Sequence, residues 1–166
     1  MRREIAHYNS LAVKFAGFTD ARGLADGEIE LVCVDKRPAD LIRSYAPSYS
    51  FEIRVGGAKA GAVSFRVGYT KNLYYSGQIG YAVDSAYRGN GYAGKACVLL
   101  IPLIKKHGMS KLLITTNPEN KASRRVCEKL GARLIRVAKI PRSHELYDIG
   151  DRYKCIYEWD INNYSG

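Results

Sequence analysis

The segment Arg88-Gly89-Asn90-Gly91-Tyr92-Ala93-Gly94 has the make-up of an anion-binding loop. Its glycines let the backbone turn sharply and bring N–H groups within hydrogen-bonding distance of an anion. Ala93, Ala96, Cys97, Leu100, Ile101 and Ile104 then recur at helical spacing. The loop therefore opens a helix, whose N-terminus carries partial positive charge. Arg88 adds a charge-assisted donor. Together these features describe a pyrophosphate cradle. Gly89, Gly91 and Gly94 also spell the G-x-G-x-x-G of a dinucleotide-binding unit. That reading calls for an acidic residue closing the next strand to hold a ribose, and here the strand ends Thr115-Thr116-Asn117. A purely structural glycine turn is the remaining alternative.

The elements around the loop follow from periodicity and turn signals. Ile29–Val34 reads as a strand ended by Asp35-Lys36-Arg37-Pro38, and Tyr49–Val55 alternates as a second. Gly56-Gly57 is a hairpin signal, with Ala60–Val67 as the return strand. A turn rich in Tyr and Gly leads to a strand over Gln78–Val83. One helix is expected from about Tyr92 to His107, kinked by Pro102 and stopped by Gly108. Strand Lys111–Thr116 follows, then helix Asn120–Leu130 with Asn120 as N-cap and Gly131 just past its end. Strands Leu134–Ala138 and Lys154–Ile161 flank a long loop, and loops of that length are usually functional. This order predicts a mixed α/β fold with one strand–helix–strand crossover. Residues 1–27 read as an irregular arm with one short helix, and residues 28–166 as a single domain.

With 166 residues, 46% of them apolar and 25% charged, the chain suits one globular domain. It holds no apolar run of the roughly 18–20 residues that a membrane span needs. The basic N-terminus lacks the continuous apolar stretch of a secretion signal, so a cytoplasmic location and no membrane partner are expected. Cys33, Cys97, Cys127 and Cys155 lie far apart without paired spacing, which argues against a metal site and for reduced thiols. A formal charge of +10, from 26 Lys and Arg against 16 Asp and Glu, suits a polyanionic partner or a phosphate-rich cofactor. The basic residues are scattered, so a solvated basic surface is an equal reading.

Strand Ile79-Gly80-Tyr81-Ala82-Val83 followed by Tyr87-Arg88-Gly89-Asn90-Gly91-Tyr92-Ala93 resembles the R/Q-x-x-G-x-G/A signature of the GNAT acetyltransferase superfamily. Downstream, Asn117-Pro118-Glu119-Asn120-Lys121-Ala122-Ser123 and Glu128-Lys129-Leu130-Gly131-Ala132 resemble the family's N-x-x-A/S…E-K-L-G segment. The likeness is nearest to the branch that modifies ribosomal-protein N-termini. It implies a central mixed sheet, flanked by helices, whose two central parallel strands splay apart around acetyl-CoA. It further implies that the backbone of Tyr81, Ala82 and Val83 bonds pantetheine. The amides from Gly89 through Asn90, Gly91 and Tyr92 to Ala93, with Arg88, would hold pyrophosphate. Asn117 would stand at the mouth of the splay, with Asn120 and Ser123 beside the cofactor. The implied chemistry is direct attack of an acceptor amine on the thioester, with no acyl-enzyme and no metal.

The sequence departs from that family at two positions. Many relatives carry a Tyr acid four residues after the A/S, where this chain has Cys127, read either as a proton donor or as a small core residue. The ribosomal-protein branch places a Glu just before I-G-Y, where this chain has Gln78, an amide that cannot act as a base. His144 and Glu145 of the long loop, helped by Tyr147, are the other candidates, against an ordinary polar loop. A weak base favours acceptors with low pKa. Deprotonating a lysine at pH 7 costs about 4.6 kcal/mol, and an α-amine about 1 kcal/mol.

The connection from Asp35 to Ser48 is too short for the two helices that wall off the acceptor in many relatives. The cover would come from the arm, the 141–152 loop or a second subunit, which would make the chain a homodimer. Tyr45, Tyr49, Tyr69, Tyr74 and Tyr75 would line a shallow cleft for a small-molecule or peptide amine. Two rival readings remain: a non-catalytic acyl-CoA-binding regulatory module, and, ranked last, a basic ribosome- or RNA-associated protein on the same fold.

Overall fold

The computed structural model describes His7 and residues 11–164. Residues 1–6 and 8–10 of the arm lie outside the described residues, and the short helix expected in the arm does not form over 11–27. The sheet runs β1 (Leu24–Ala25), β2 (Ile29–Arg37), β3 (Ser48–Val55), β4 (Ala58–Arg66), β5 (Ile79–Val83), β6 (Lys111–Thr116), β8 (Tyr153–Asp160), β7 (Arg133–Lys139) in spatial order. Every neighbouring pair is antiparallel except β5 and β6, which are parallel. The connection between those two carries helices α2 (Tyr92–Leu99) and α3 (Ile101–Lys106). Parallel neighbours need such a crossover.

Alternation along the strands divides the sheet into two unlike faces. Tyr49, Phe51 and Ile53 of β3, Val63 and Phe65 of β4, Ile79 of β5, and Leu112 and Ile114 of β6 form the main core. They pack against α2, α3 and α4 (Lys121–Lys129). The opposite face carries a second apolar cluster toward its β6–β8–β7 end. There Leu113 and Ile156 meet Tyr74 and Tyr75 of α1 (Lys71–Ser76), with Leu146 of α5 (Glu145–Asp148) packed alongside. Over β3 and β4 that face carries Ser48, Ser50, Ser64 and Arg66, which line a cavity.

Three expectations need correction. The helix over 92–107 is two helices, broken at Leu100. Pro102 has no N–H for the Val98 carbonyl and its ring crowds that oxygen, so the first helix cannot continue, whereas Pro suits the first turn of the second. The segment read as a turn before Gln78 contains α1, whose N-cap Thr70 accepts from the Leu73 amide at 3.2 Å. Thr70 and Gly77 bracket it as cap and stop, but its one and a half turns are too short to show a period. The tyrosine-lined cleft does not form: Tyr49, Tyr74 and Tyr75 are buried in the two cores, and the Tyr69 hydroxyl donates to the Lys111 carbonyl at 2.7 Å. Among these five tyrosines only Tyr45 lines the cavity.

Candidate active site

The two parallel strands touch at one point and then part. Ile79 pairs with Ile114, and just below it the Gln78 amide N–H donates to the Leu113 carbonyl at 2.9 Å. The Gln78 side chain completes a staple there. Its Oε1 accepts from the Leu113 N–H at 2.6 Å and its Nε2 donates to the Gly68 carbonyl at 3.1 Å, all buried. Gly77 permits the approach, because a Cβ there would lie 2.9 Å from the Leu113 carbonyl oxygen. Above Ile79 the gap opens toward the C-terminal ends of both strands, where parallel sheets bind ligands. Bonds from Arg66 N to Gln78 O and from Asp84 N to Ala60 O show that alternate β5 residues bond β4. The Ala82 amide therefore turns to β4, and those of Tyr81 and Val83 face the gap.

The glycine loop lies directly beyond β5. Gly89 and Gly91 have φ of +87° and +76°, values that L side chains rarely adopt, and the space around both is open. Gly91 caps α2 in the left-handed conformation. The amides of Tyr92 and Ala93 open that helix and have no intrahelical acceptor by position. The Tyr92 side chain is buried in the core, so only its backbone can serve a ligand. The Asn90 side chain folds back to donate to the Tyr87 carbonyl at 3.1 Å, which holds the loop in shape. Arg88 Nε donates to the Val83 carbonyl at 2.9 Å and so carries its guanidinium back to the end of β5.

Across the gap, Asn120 caps α4, its Oδ1 accepting from the Ser123 N–H at 3.0 Å. Ser123 Oγ lies 2.9 Å from the Tyr81 hydroxyl, tying α4 to β5. Asn117 is held by two charges: its Nδ2 donates to Asp151 at 3.0 Å and its Oδ1 accepts from Lys154 at 2.6 Å. Cys127 is fully buried beside Tyr81, and burial pushes its thiol up to about 12. Burial raises the Tyr81 hydroxyl strongly as well.

A cavity of about 1080 Å³ begins at Tyr81, Asn117 and Ser123 and continues over the polar face to Arg66, Tyr45 and Glu145. The Tyr45 hydroxyl donates to Glu145 Oε2 at 2.6 Å, and that carboxylate raises the Tyr45 pKa. The neighbouring His144 is a buried N-cap for α5. Its Nδ1 accepts from the Leu146 N–H at 3.2 Å, which leaves the proton on Nε2 to donate to the Asn72 carbonyl at 3.2 Å. Both ring nitrogens are thereby engaged. Of the three acid–base candidates named from sequence, Glu145 lines the cavity while Cys127 and His144 do not.

Sequence reasoning missed Arg66, Ser48, Ser50 and Ser64. The signal was present in the strict alternation Ser48-Tyr49-Ser50-Phe51 and Val63-Ser64-Phe65-Arg66, which puts four polar residues on one non-core face. Among the described residues no three His, Cys, Asp or Glu side chains converge as a metal site would require, and no helix is long and apolar enough to cross a membrane.

The profile of the acetyltransferase (GNAT) domain matches residues 28–133. No curated protein matches the chain by sequence. Among solved structures, the Salmonella typhimurium acetyl transferase that modifies the N-terminal serine of ribosomal protein L7/L12 is 22% identical, over 72% of this chain and 66% of its own, with a TM-score of 0.53. RimJ of Mycobacterium smegmatis, in complex with CoA-disulfide, is 22% identical over 72% of this chain and 56% of its own, with a TM-score of 0.55. The microcin C7 self-immunity acetyltransferase MccE, in complex with acetyl-CoA and AMP, is 24% identical over 69% and 61%, with a TM-score of 0.53. The chain thus spans 56–66% of the length of these three proteins, and at such identities the likeness establishes the fold.

Proposed function

The chain belongs to the GNAT acetyltransferase family, and from that premise we propose that it transfers the acetyl group of acetyl-CoA to a primary amine. One observation carries the reading: a single cavity joins the gap between β5 and β6 to a charged pocket on the polar sheet face. A thioester threaded from the glycine-loop side would meet an amine held on the other.

Acetyl-CoA supplies the activated acetyl group, and this chain's residues bind, orient and move protons. Amides from Gly89 to Ala93, with Arg88, would take the pyrophosphate. The gap-facing amides of Tyr81 and Val83 are free to bond the pantetheine arm or polarise the thioester carbonyl. As the amine nitrogen bonds to the carbonyl carbon and the C–S bond breaks, the amine proton passes to Glu145, whose carboxylate Tyr45 orients. The sulfur leaves with its electron pair. On the cavity wall at that end Tyr81, hydrogen-bonded to Ser123, offers an O–H that can return a proton to the sulfur. Cys127 sits behind it, so a proton from that thiol would have to travel through the Tyr81 hydroxyl. The four unpaired cysteines suit a reducing compartment such as the cytoplasm.

The test is release of coenzyme A thiol from acetyl-CoA, followed across a panel of primary amines. Release that requires an amine, with mass-spectrometric proof of the acetylated product, supports the reading. Acetyl-CoA binding without turnover of any amine would leave only an acyl-CoA-binding module.

A further inference from the structure

We propose, resting on that reading of the cavity as an acceptor site, that Arg66 selects an amine bearing a compact oxyanion, carboxylate or phosphate, a few atoms from its nitrogen. Arg22, Arg37, Arg54 and Arg133 each reach a carboxylate at 2.6–3.2 Å. Arg66, half-buried in the cavity wall, pairs with no carboxylate among the described residues. Among the described residues its one side-chain hydrogen bond runs from Nη1 to the Gly77 carbonyl at 3.3 Å. A guanidinium offers five N–H donors in a fixed fork that matches an oxyanion edge-on. Taking that charge partly out of water has a cost that a bound anion would offset, and burial here lowers its pKa.

Its position ties the charge to the reaction. A Cβ on Gly80 would lie 3.5 Å from Arg66 Nη1, 3.8 Å from Nη2 and 3.2 Å from Ser64 Oγ. The fork therefore lies against the bare backbone of β5, one residue from Tyr81 at the gap. Glu145 stands on the same cavity, close enough for its charge to act on Arg66, yet the two form no ion pair. The other charged walls are already matched: Arg37 by Asp35, Arg43 by Asp40 and Lys154 by Asp151. What remains is one cation and one anion held apart on a floor of serine hydroxyls, the complement of a molecule that carries both an ammonium and an oxyanion.

The experiment compares amines in pairs that differ only in the anion. The pairs are amino acids with their carboxamides, Asp-Ala-amide with Asn-Ala-amide, and phosphoethanolamine with ethanolamine, each rate referred to the unprotonated fraction of its amine because the anion also raises the amine pKa. Each is assayed with wild type, Arg66→Gln and Arg66→Lys, and acetyl-CoA binding is measured by calorimetry on all three proteins. Wild type should favour the anionic member of at least one pair by about 10- to 100-fold in kcat/KM, mainly through KM. Which pair responds identifies the source of the anion. Arg66→Gln should erase that preference and leave the neutral members within a few-fold, and Arg66→Lys should restore part of it. A wild type that binds acetyl-CoA but treats both members alike overturns the proposal and spares the acetyltransferase reading. So does an Arg66→Gln loss equal for both members. A folded wild type that does not bind acetyl-CoA removes the reading itself, and the proposal with it.

Discussion

The proposed donor and acceptor sites are made of different material. At the gap and the glycine loop beyond it, the groups proposed to hold the donor are backbone: the amides of Tyr81 and Val83 and those of the loop, set by strand splay and by positive φ at Gly89 and Gly91. On the polar face they are side chains, Arg66, Glu145 and Tyr45, brought together from β4, α5 and the β2–β3 connection. A backbone site needs few particular residues and tolerates change around them, so it survives as a short local motif. A side-chain site depends on which residues three distant segments present, and its specificity can change at one position. The first end is suited to a constant donor, the second to an acceptor particular to this chain.

Substituting Glu145→Gln should break the side-chain end with the largest effect. If Glu145 takes the amine proton, kcat should fall about 100-fold or more at neutral pH, with acetyl-CoA affinity unchanged. Because Glu145 is exposed, the melting temperature should hold. Steady-state kinetics beside calorimetry separates the two ends, and an unchanged kcat would assign the proton to water.

The base of the gap gives the next effect. Gln78→Glu keeps an acceptor for the Leu113 N–H but loses the donor to the Gly68 carbonyl and buries a charge. Urea unfolding should show a loss of about 1–3 kcal/mol. A variant of undiminished stability and raised activity would instead mean that position 78 is a base site. Asn120→Ala removes the cap on α4 and should cost about 1 kcal/mol. Cofactor affinity should drop only as far as Ser123 shifts.

Smallest is a pH effect far from both ends. Tyr49 lies 2.7 Å from His107 Nε2 and its hydroxyl accepts from the Thr19 N–H, joining the arm to α3. Burial lowers the His107 pKa. The unfolded chain, with an ordinary imidazole near 6.5, therefore binds this proton first as pH falls. Stability from this group is complete above about pH 6.5 and declines as pH drops toward the lowered folded value. His107→Gln should flatten that decline in melting curves taken from pH 7 to 5.

These regions also differ in how far the sequence discloses them. The glycine loop and the Asn120 cap were legible because each is a local signal: Gly in a strand-to-helix turn, and a cap three residues before its amide; the splayed pair followed only from the family resemblance. Gln78 was legible as an oddity, but its role was not, since its partners Gly68 and Leu113 lie 10 and 35 residues away. Arg66 was passed over because an Arg on an alternating strand reads as a solvated face until the covering segments are known. Tyr49, Tyr74 and Tyr75 went the other way. Their polar tips suggested a binding cleft, while their rings supplied the core volume. The break at Leu100 was read as a mere kink in one continuous helix, because a proline disrupts the turn before it rather than the turn it occupies.

The most direct test of the central claim is calorimetric titration of acetyl-CoA into the folded wild-type protein and into Gly91→Trp, a side chain that would fill the cradle and strain its left-handed turn. Saturable one-to-one binding by wild type, weakened about 100-fold or more in the variant while both remain folded, is the expected result. A folded wild type that takes up no acetyl-CoA, or a Gly91→Trp protein that binds it equally well, would contradict the assignment of the loop and gap as the donor site.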